Sequence, residues 1–263
     1  PAPSLLMKNV CFTGRPRSYQ LEALKIVDTH PRATLVMATG AGKTVLAAMI
    51  IDKLRQPTLF LTYSADLLAQ TAERFEELLA VPVGRVGGSE FFLRPVTVAT
   101  VQTVMSCLER HDERWAELER FFRDVELVFV DEGHQLGAET ILKAALLPNS
   151  YYAYALTATP EREDGKTLCI EAGAGPLTLL VPESRLVEEG WVLPVQVRLL
   201  TCEHTRSKYR SYQRLYQEQI VGNSARNALL VSAARKYIDE GKQVLVLVKD
   251  VANDHGQVLA DAL

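Results

Sequence analysis

The sequence predicts an α/β protein built on a doubly wound parallel sheet. From Arg17 onward, short apolar runs alternate with stretches of helical spacing, which is the pattern of successive βαβ units. The apolar runs are often β-branched, as is typical of strands that are covered on both faces. Hydrophobic residues make up 48% of the 263 residues, which is enough to bury a sizeable core.

Five apolar runs are predicted as the strands of one sheet. They span 33–38, 58–62, 96–100, 126–130 and 151–156. Helical spacing follows the first two, over 45–54 and 66–79. The charged and Gly-rich segment 161–176 is predicted as a linker or surface excursion.

Composition restricts the partners and the compartment. The net charge of −3 gives no overall basic character, so a polyanion would have to be held by a local patch. The four cysteines form no C-x-x-C pair, which argues against a zinc site or a disulfide framework and favours a reducing cytoplasm, of a host cell if the protein is phage-encoded. No apolar run reaches the roughly 18 residues of a membrane span, so we expect a soluble protein that is cytoplasmic or associated with the nucleoid.

A phosphate-binding loop is predicted directly after the first strand, in the segment MATGAGKT over 37–44. Glycines let such a loop turn its N–H groups inward, Lys43 can reach the β- and γ-phosphates, and the Thr44 hydroxyl can bind Mg²⁺. Met37 replaces the first glycine of the usual pattern, and a Gly-rich turn that merely ends a strand is the alternative. The predicted nucleotide-binding residues of the loop are Thr39, Gly40, Ala41, Gly42, Lys43 and Thr44.

Two adjacent acids, Asp131 and Glu132, follow a very apolar strand. They are predicted at the carboxyl edge of the sheet, where ligands of such folds bind. Asp131 would hold Mg²⁺, and Glu132 would orient and deprotonate the attacking water, so Lys43, Asp131 and Glu132 are the candidate catalytic residues. Alone, the pair could equally begin a solvated loop, but the phosphate loop upstream makes coincidence improbable.

These motifs resemble those of the superfamily 2 helicases, whose second ATP motif is the DExH/DEAD box, here DEGH over 131–134. The segment RSYQ over 17–20 is similar to the R-x-Y-Q element of that family. The resemblance implies ATP and Mg²⁺ as cofactors. It places Arg17 in the nucleotide site and has Gln20 read adenine.

Further segments match the family in the same order. LTATP over 156–160 resembles the motif that couples ATP state to the grip on nucleic acid through Thr157 and Thr159, and His134 is expected to hydrogen-bond across to it. REDG over 162–165 is similar to a run in the branch of phage recombination helicases, XPB-type repair helicases and restriction-enzyme motor subunits.

The resemblance covers about 15–263 and implies two domains. Residues 1–194 would form a RecA-like ATP-binding domain, and residues 195–263 a linker with the incomplete start of a second RecA-like domain. In the latter we predict a helix over 223–240, a strand over 243–248 and a final helical run to the end of the chain.

The nucleic-acid contacts implied by the resemblance are Ser64, Gly87, Gly88, Thr100 and Gln102. Small hydroxyls, amides and backbone N–H groups suit phosphates rather than base edges, so binding would be independent of sequence. Thr100 and Thr103 could instead cap a helix.

Two further features leave alternatives open. Tyr63 stands where the family usually has proline and Ala65 where a basic residue is common, so one phosphate contact is in doubt. A basic, Tyr-bearing stretch over 208–216 either tracks a single strand or forms a solvated helix whose rings pack inward.

In the resembled family, arginines of the second domain complete ATP hydrolysis. Nothing resembling those motifs follows the 243–248 segment, so we expect a partner chain or a second copy to supply the arginine finger. The predicted function is an ATP-dependent helicase or translocase core acting on single-stranded or duplex DNA, with RNA not excluded, and with weak turnover alone. The alternatives are a restriction-type duplex DNA translocase and an ATP-binding regulatory module without turnover.

Overall fold

The computed structural model describes residues 7–132, 139–158, 167–202, 211–249 and 255–263. The chain divides into two compact units, Pro1–Pro194 and Val195–Leu263. Several residues of the predicted motifs lie outside the described residues, namely Gly133, His134, Thr159, Pro160 and the run over 162–165.

The described part of the first unit forms an eight-stranded sheet. Its strands are β1 (Arg32–Met37), β2 (Thr58–Thr62), β3 (Gly84–Gly87), β4 (Glu90–Phe92), β5 (Val96–Thr100), β6 (Leu127–Asp131), β7 (Tyr152–Thr157) and β8 (Leu177–Val181). They lie in the order β4-β3-β5-β2-β6-β7-β1-β8, and only the β3–β4 pair is antiparallel. The predicted α/β fold with a parallel sheet is confirmed.

Helices cover both faces of this sheet. They are α1 (Ser18–Leu24), α2 (Lys43–Leu54), α3 (Ala65–Leu79), α4 (Val101–Arg110), α5 (Glu113–Asp124), α6 (Glu139–Leu146), α7 (Thr167–Ala174) and α8 (Glu183–Glu188), with a 3₁₀ turn over Lys25–Asp28. Along β2, Phe60 packs in the cluster that includes α2 and α3, whereas Leu59 and Leu61 pack with α4, α5 and α6. Because successive strand residues point to opposite faces, a strand such as β2 that is buried at every position indicates a sheet covered on both sides.

The five predicted strands are confirmed as β1, β2, β5, β6 and β7, with bounds within one residue of those expected. Three strands were missed, β3, β4 and β8. Strands β3 and β4 are short and lack an apolar run: they contain two glycines and pair as a hairpin at the sheet edge. Their pairing depends on β5, which is a tertiary neighbour of β3.

The linker predicted over 161–176 is wrong for its described residues, because α7 spans Thr167–Ala174 and β8 follows. The glycine content that suggested a linker has a packing reason at Gly175. Its φ is +94°, and a Cβ there would come within 2.6 Å of the Arg32 backbone. Glycine therefore permits the close approach between the end of α7 and β1.

The second unit is helical in its described residues. These residues form α9 (Tyr212–Tyr216), a π-helical turn (Gln217–Val221), α10 (Ser224–Asp239) and α11 (His255–Ala262). The two predicted helices are confirmed as α10 and α11. On α9, Tyr216 is buried while Tyr212 is exposed, and Lys249 Nζ lies 4.2 Å from the Tyr212 ring centre.

The strand predicted over 243–248 is wrong, since the described residues of the second unit contain no β-strand. A strand needs a hydrogen-bonded neighbour, and this unit supplies none among the residues described. Leu245 and Leu247 remain 82% and 84% exposed, so the apolar run is not buried within the unit either.

Among the described helices of the whole chain, none is both long and apolar enough to cross a membrane.

Substituting Gly175 by alanine should destabilise the first unit by about 3 kcal/mol, because left-handed strain adds to a clash with backbone atoms. Urea unfolding followed by circular dichroism measures this change. Gly190→Ala is the matched control, since its φ is +74° but a Cβ there meets nothing within 4 Å. That variant should lose only about 1 kcal/mol, and equal losses in the two variants would contradict the packing explanation.

Candidate functional site

The loop between β1 and α2 folds through two glycines in the left-handed region. Gly40 has φ +81° and Gly42 has φ +77°. Ala41 N–H donates to Ala38 O at 3.1 Å and closes the turn. Gly42 directly precedes α2, and no side chain caps this helix. The N–H groups of its first turn therefore remain available to an anion at the loop.

Buried side chains of α1 support the loop from behind. The Tyr19 hydroxyl donates to Ala41 O at 2.8 Å, and Gln20 Nε2 donates to Ala41 O at 3.0 Å and to Gly42 O at 3.4 Å. A Cβ at Gly42 would lie 2.7 Å from Gln20 Nε2. Glycine at 42 is therefore required both by the backbone and by the packing of Gln20.

The Gln20 amide is satisfied at both ends. Its Oε1 accepts a hydrogen bond from Arg17 N at 2.9 Å, and the side chain belongs to a residue only 1% exposed. Reading adenine with this amide stays a prediction. It requires the exchange of at least one of these intramolecular bonds for a bond to the base.

Arg17 contacts the loop at Gly40, which marks the outer turn of the loop. Its Nη1 donates to Gly40 O at 3.0 Å and to the Tyr19 hydroxyl at 2.7 Å. The guanidinium carbon also lies 4.3 Å from the centre of the Trp191 ring. Sequence reasoning placed Arg17 at the site but missed Trp191, because a tryptophan after α8 belongs to no motif or periodic pattern.

Ion pairs join α8 to α1 beside this tryptophan. Arg185 bonds both carboxylate oxygens of Glu22, at 3.0 and 3.1 Å, and its Nε bonds Glu189 at 2.8 Å. Hydrogen bonds from Arg185 hold the pKa values of Glu22 and Glu189 below the usual carboxyl range. Both acids therefore stay charged at neutral pH, and these contacts are lost only as the pH falls through the lowered values.

The acid pair lies at the same edge of the sheet as the loop. Strand β7 separates β1 from β6 and pairs with both. On one side Val36 is in register with Thr157. On the other Asp131 is in register with Leu156. Since all three strands are parallel, the acids and the loop follow strand ends that are one strand apart.

The backbone turns sharply at the second acid. Glu132 has φ +50°, and its N–H donates to Asp131 Oδ1 at 3.0 Å. A left-handed non-glycine residue costs about 1–2 kcal/mol, and such strain clusters at functional sites. Gly42, Thr44 and Asp131 line one cavity of about 460 Å³, whose opposite wall is α3. A hydroxyl and a carboxylate are ligands that Mg²⁺ accepts.

The predicted coupling residues are only partly described. Thr157 is fully buried at the end of β7. His134 and Thr159 lie outside the described residues, so the hydrogen bond predicted between their segments stays a prediction.

Two of the predicted nucleic-acid contacts act as helix caps. The Ser64 hydroxyl accepts from Leu67 N at 3.2 Å at the start of α3. Thr100, 4% exposed, accepts from Thr103 N at 3.4 Å and donates to Thr103 Oγ1 at 2.9 Å. The sequence left capping open as the alternative for Thr100 and Thr103. The Thr100 hydroxyl caps α4, whereas the Thr103 hydroxyl accepts a hydrogen bond from Thr100 Oγ1.

The other predicted contacts differ in their accessibility. Gly87 is buried, and a Cβ there would lie 2.8 Å from Leu68 and Thr100. Gly88 and Gln102 are exposed after neighbouring strands β3 and β5. Their role in binding nucleic acid stays a prediction.

A Gly-rich loop after β1 and an acid pair at the end of β6, with one strand between them in a parallel sheet, are the arrangement of a P-loop nucleotide-binding domain. The model of the family described as "Type III restriction enzyme, res subunit" matches residues 13–162, so the chain belongs to this family. This agrees with the helicase resemblance of the motifs.

Two curated relatives point to the same group. The chain is 31% identical over 199 residues to "DNA 3'-5' translocase XPB2" of Sulfurisphaera tokodaii, covering 76% of this chain and 43% of that protein. It is 28% identical over 256 residues to "DNA 3'-5' helicase XPB" of Mycobacterium tuberculosis, covering 92% of this chain and 45% of that protein. The chain thus spans less than half the length of these two relatives.

Among solved structures, the "Hef helicase domain" of Pyrococcus furiosus matches with a TM-score of 0.55. The match covers 94% of this chain and 53% of that chain at 21% identity, so it supports the fold alone.

Replacing Gln20 by alanine should lower the free energy of unfolding by about 1–3 kcal/mol, because the substitution removes the bonds to Arg17 N, Ala41 O and Gly42 O from a buried position. Thermal unfolding measures the loss. Ser18→Ala is the control on the same helix, since Ser18 is exposed and bonds Glu189 at 3.3 Å. An equal midpoint for the two variants would show that Gln20 does not support the loop.

Proposed function

We propose that this chain is the ATP-binding core of a DNA helicase or translocase that couples Mg²⁺-ATP hydrolysis to movement along the strand. The observation that carries the proposal is the convergence of Gly42, Thr44 and Asp131 on one cavity at the carboxyl edge of the sheet. Its volume of about 460 Å³ lies within the usual range for ligand pockets.

The loop accounts for phosphate binding. The uncapped first turn of α2 offers N–H groups and the positive end of the helix dipole. Gly40 and Gly42 adopt the left-handed backbone that lets the loop turn tightly before α2. Lys43, the first residue of α2, adds the full positive charge that terminal phosphates require.

The acid pair accounts for the chemistry. Thr44 and Asp131 are the residues that would hold Mg²⁺, and the bound ion supplies neutralisation of charge on the β- and γ-phosphates. Glu132 would orient the attacking water and accept its proton. The left-handed backbone at Glu132 turns the chain after Asp131, which suits two consecutive carboxylates with separate roles.

DNA is the proposed polymer because both curated relatives are named for action on DNA. Exposed Gly88 and Gln102 lie after neighbouring strands at the carboxyl edge and offer a backbone N–H and an amide for phosphates. A duplex translocase of the restriction-enzyme type is the second candidate, favoured by the description of the matched family.

The arginine that stabilises charge on the γ-phosphate is proposed to come from a partner chain or a second copy. Of the described residues lining the cavity, Arg74 is the only arginine, and it pairs with Glu77 at 2.6 Å. Without an arginine finger, hydrolysis is slower by several orders of magnitude. This 263-residue chain should therefore bind ATP but turn it over slowly.

Two substitutions separate binding from chemistry. Lys43→Ala should weaken ATP binding by at least about tenfold, and Glu132→Gln should keep binding but reduce hydrolysis by about a hundredfold or more. Calorimetry and phosphate release measure the two effects.

Lys53→Ala is the control for charge on α2, because Lys53 lies at the other end of the helix, paired with Asp28 at 2.7 Å. Equal affinity of the Lys43 and Lys53 variants would refute the phosphate site. If Glu132→Gln hydrolyses ATP at the rate of the unsubstituted chain, Glu132 is not the general base.

The polymer is identified by the dependence of ATP turnover on single-stranded DNA, duplex DNA and RNA. We expect weak turnover that DNA stimulates and that Lys43→Ala abolishes. Stimulation by duplex DNA without strand separation would favour the translocase, and tight ATP binding with no turnover on any polymer would favour a regulatory module. Robust unwinding by this chain alone would contradict the need for an arginine from elsewhere.

A further inference from the structure

Exposed Trp191 stacks on half-buried Arg17 beside the proposed phosphate-binding loop. The Arg17 guanidinium lies 4.3 Å from the indole ring centre, and the same side chain donates to Gly40 O at 3.0 Å. The following residue, Val192, would lie 3.3 Å from a Cβ at Gly40. The indole is therefore next to the outer turn of the loop, yet Trp191 remains 48% exposed.

The indole is fixed from behind. Its Nε1 donates to Glu189 Oε2 at 3.0 Å, and its backbone N–H donates to Leu186 O at 2.8 Å. Glu189 is held in turn by Arg185 Nε at 2.8 Å. An exposed aromatic ring anchored by its polar edge presents a flat apolar surface at little entropic cost, which is typical of a binding surface.

A nucleotide whose phosphates lie at the first turn of α2 must extend its base outward from the loop. The Gln20 amide is buried and engaged with the loop, whereas Trp191 is exposed and Arg17 is half-buried at the loop's outer turn. Guanidinium planes and aromatic rings both stack on nucleobases. The stack is thus a partly exposed, flat and cationic surface suited to a base beside this loop.

We propose that Trp191 is a positioning residue of the nucleotide site: by stacking on Arg17 it holds the guanidinium in place as the platform on which the base of the nucleoside triphosphate rests. This inference rests on the proposed ATP site and deepens it. Because stacking does not read hydrogen-bond patterns, the platform should contribute equally to ATP and GTP.

Intrinsic fluorescence tests the proximity of the base. The chain has two tryptophans, and Trp115 lies on α5, partly buried against the core cluster on the other face of the sheet. In a Trp115→Phe background, saturating Mg²⁺-ATP should change the Trp191 emission, whereas inorganic tripolyphosphate should change it much less. An emission that stays constant while calorimetry shows bound ATP would overturn the proposal.

Affinity separates positioning from general structural damage. Trp191→Ala should weaken ATP binding about tenfold and leave tripolyphosphate binding unchanged, and Trp191→Phe should restore most of the ATP affinity. Leu193→Ala is the matched control, because Leu193 lies two residues away and is 85% exposed. The proposal is wrong if Trp191→Ala loses equal affinity for ATP and tripolyphosphate. It is also wrong if Trp191→Phe does not restore the affinity for ATP.

The same experiment distinguishes a failure of the proposed ATP site from a failure of the Arg17–Trp191 platform alone. If the unsubstituted chain and Lys43→Ala both fail to bind ATP and tripolyphosphate, the proposed ATP site fails, and the platform fails with it. If both ligands bind and depend on Lys43 but not on Trp191, only the platform is lost and the ATP site stands.

Discussion

The hydrogen bonds from buried Tyr19 and Gln20 to the carbonyl of Ala41 are the contacts on which the site depends. They tie α1 to the loop and occupy backbone acceptors, while the N–H groups at the start of α2 have no side-chain cap. Arg17 extends the same network, because it donates to the Tyr19 hydroxyl and to Gly40 O. The shape of the loop is consequently set by hydrogen bonds within the chain, and a loop held in this way reduces the ordering cost of binding.

The order of the sheet supplies the second half of the site. Because β7 lies between β1 and β6, the loop and the acid pair are one strand apart. Helices pack on both faces of the sheet. A sheet that is buried on both faces cannot slip in register without exposing apolar side chains. The rigidity of this core makes it possible for strain to be held at Glu132, whose φ is +50°.

The predictions that were wrong share one physical cause. The segment 243–248 is apolar enough for a strand, but strand formation needs a hydrogen-bonded neighbour that the described residues of its unit do not provide. The Gly-rich segment 161–176 has the local composition of a linker, yet it contains α7, and Gly175 at the end of this helix approaches the backbone of Arg32. In both cases the contact that decides the secondary structure is distant in sequence, so local composition does not predict it.

The sequence by itself determined the α/β class, the five central strands and the identities of the residues at the loop and the acid pair. These features leave local signals, because buried strands are continuous apolar runs and phosphate loops need glycines at set spacing. Only the tertiary structure decided that the Gln20 amide is engaged by the loop, that Thr100 caps α4 and that Trp191 stacks on Arg17. The contact of Gln20 joins residues 21 apart, the contact of Trp191 joins residues much farther apart, and the cap of Thr100 lies within one helix turn. Packing geometry rather than residue type selects these outcomes.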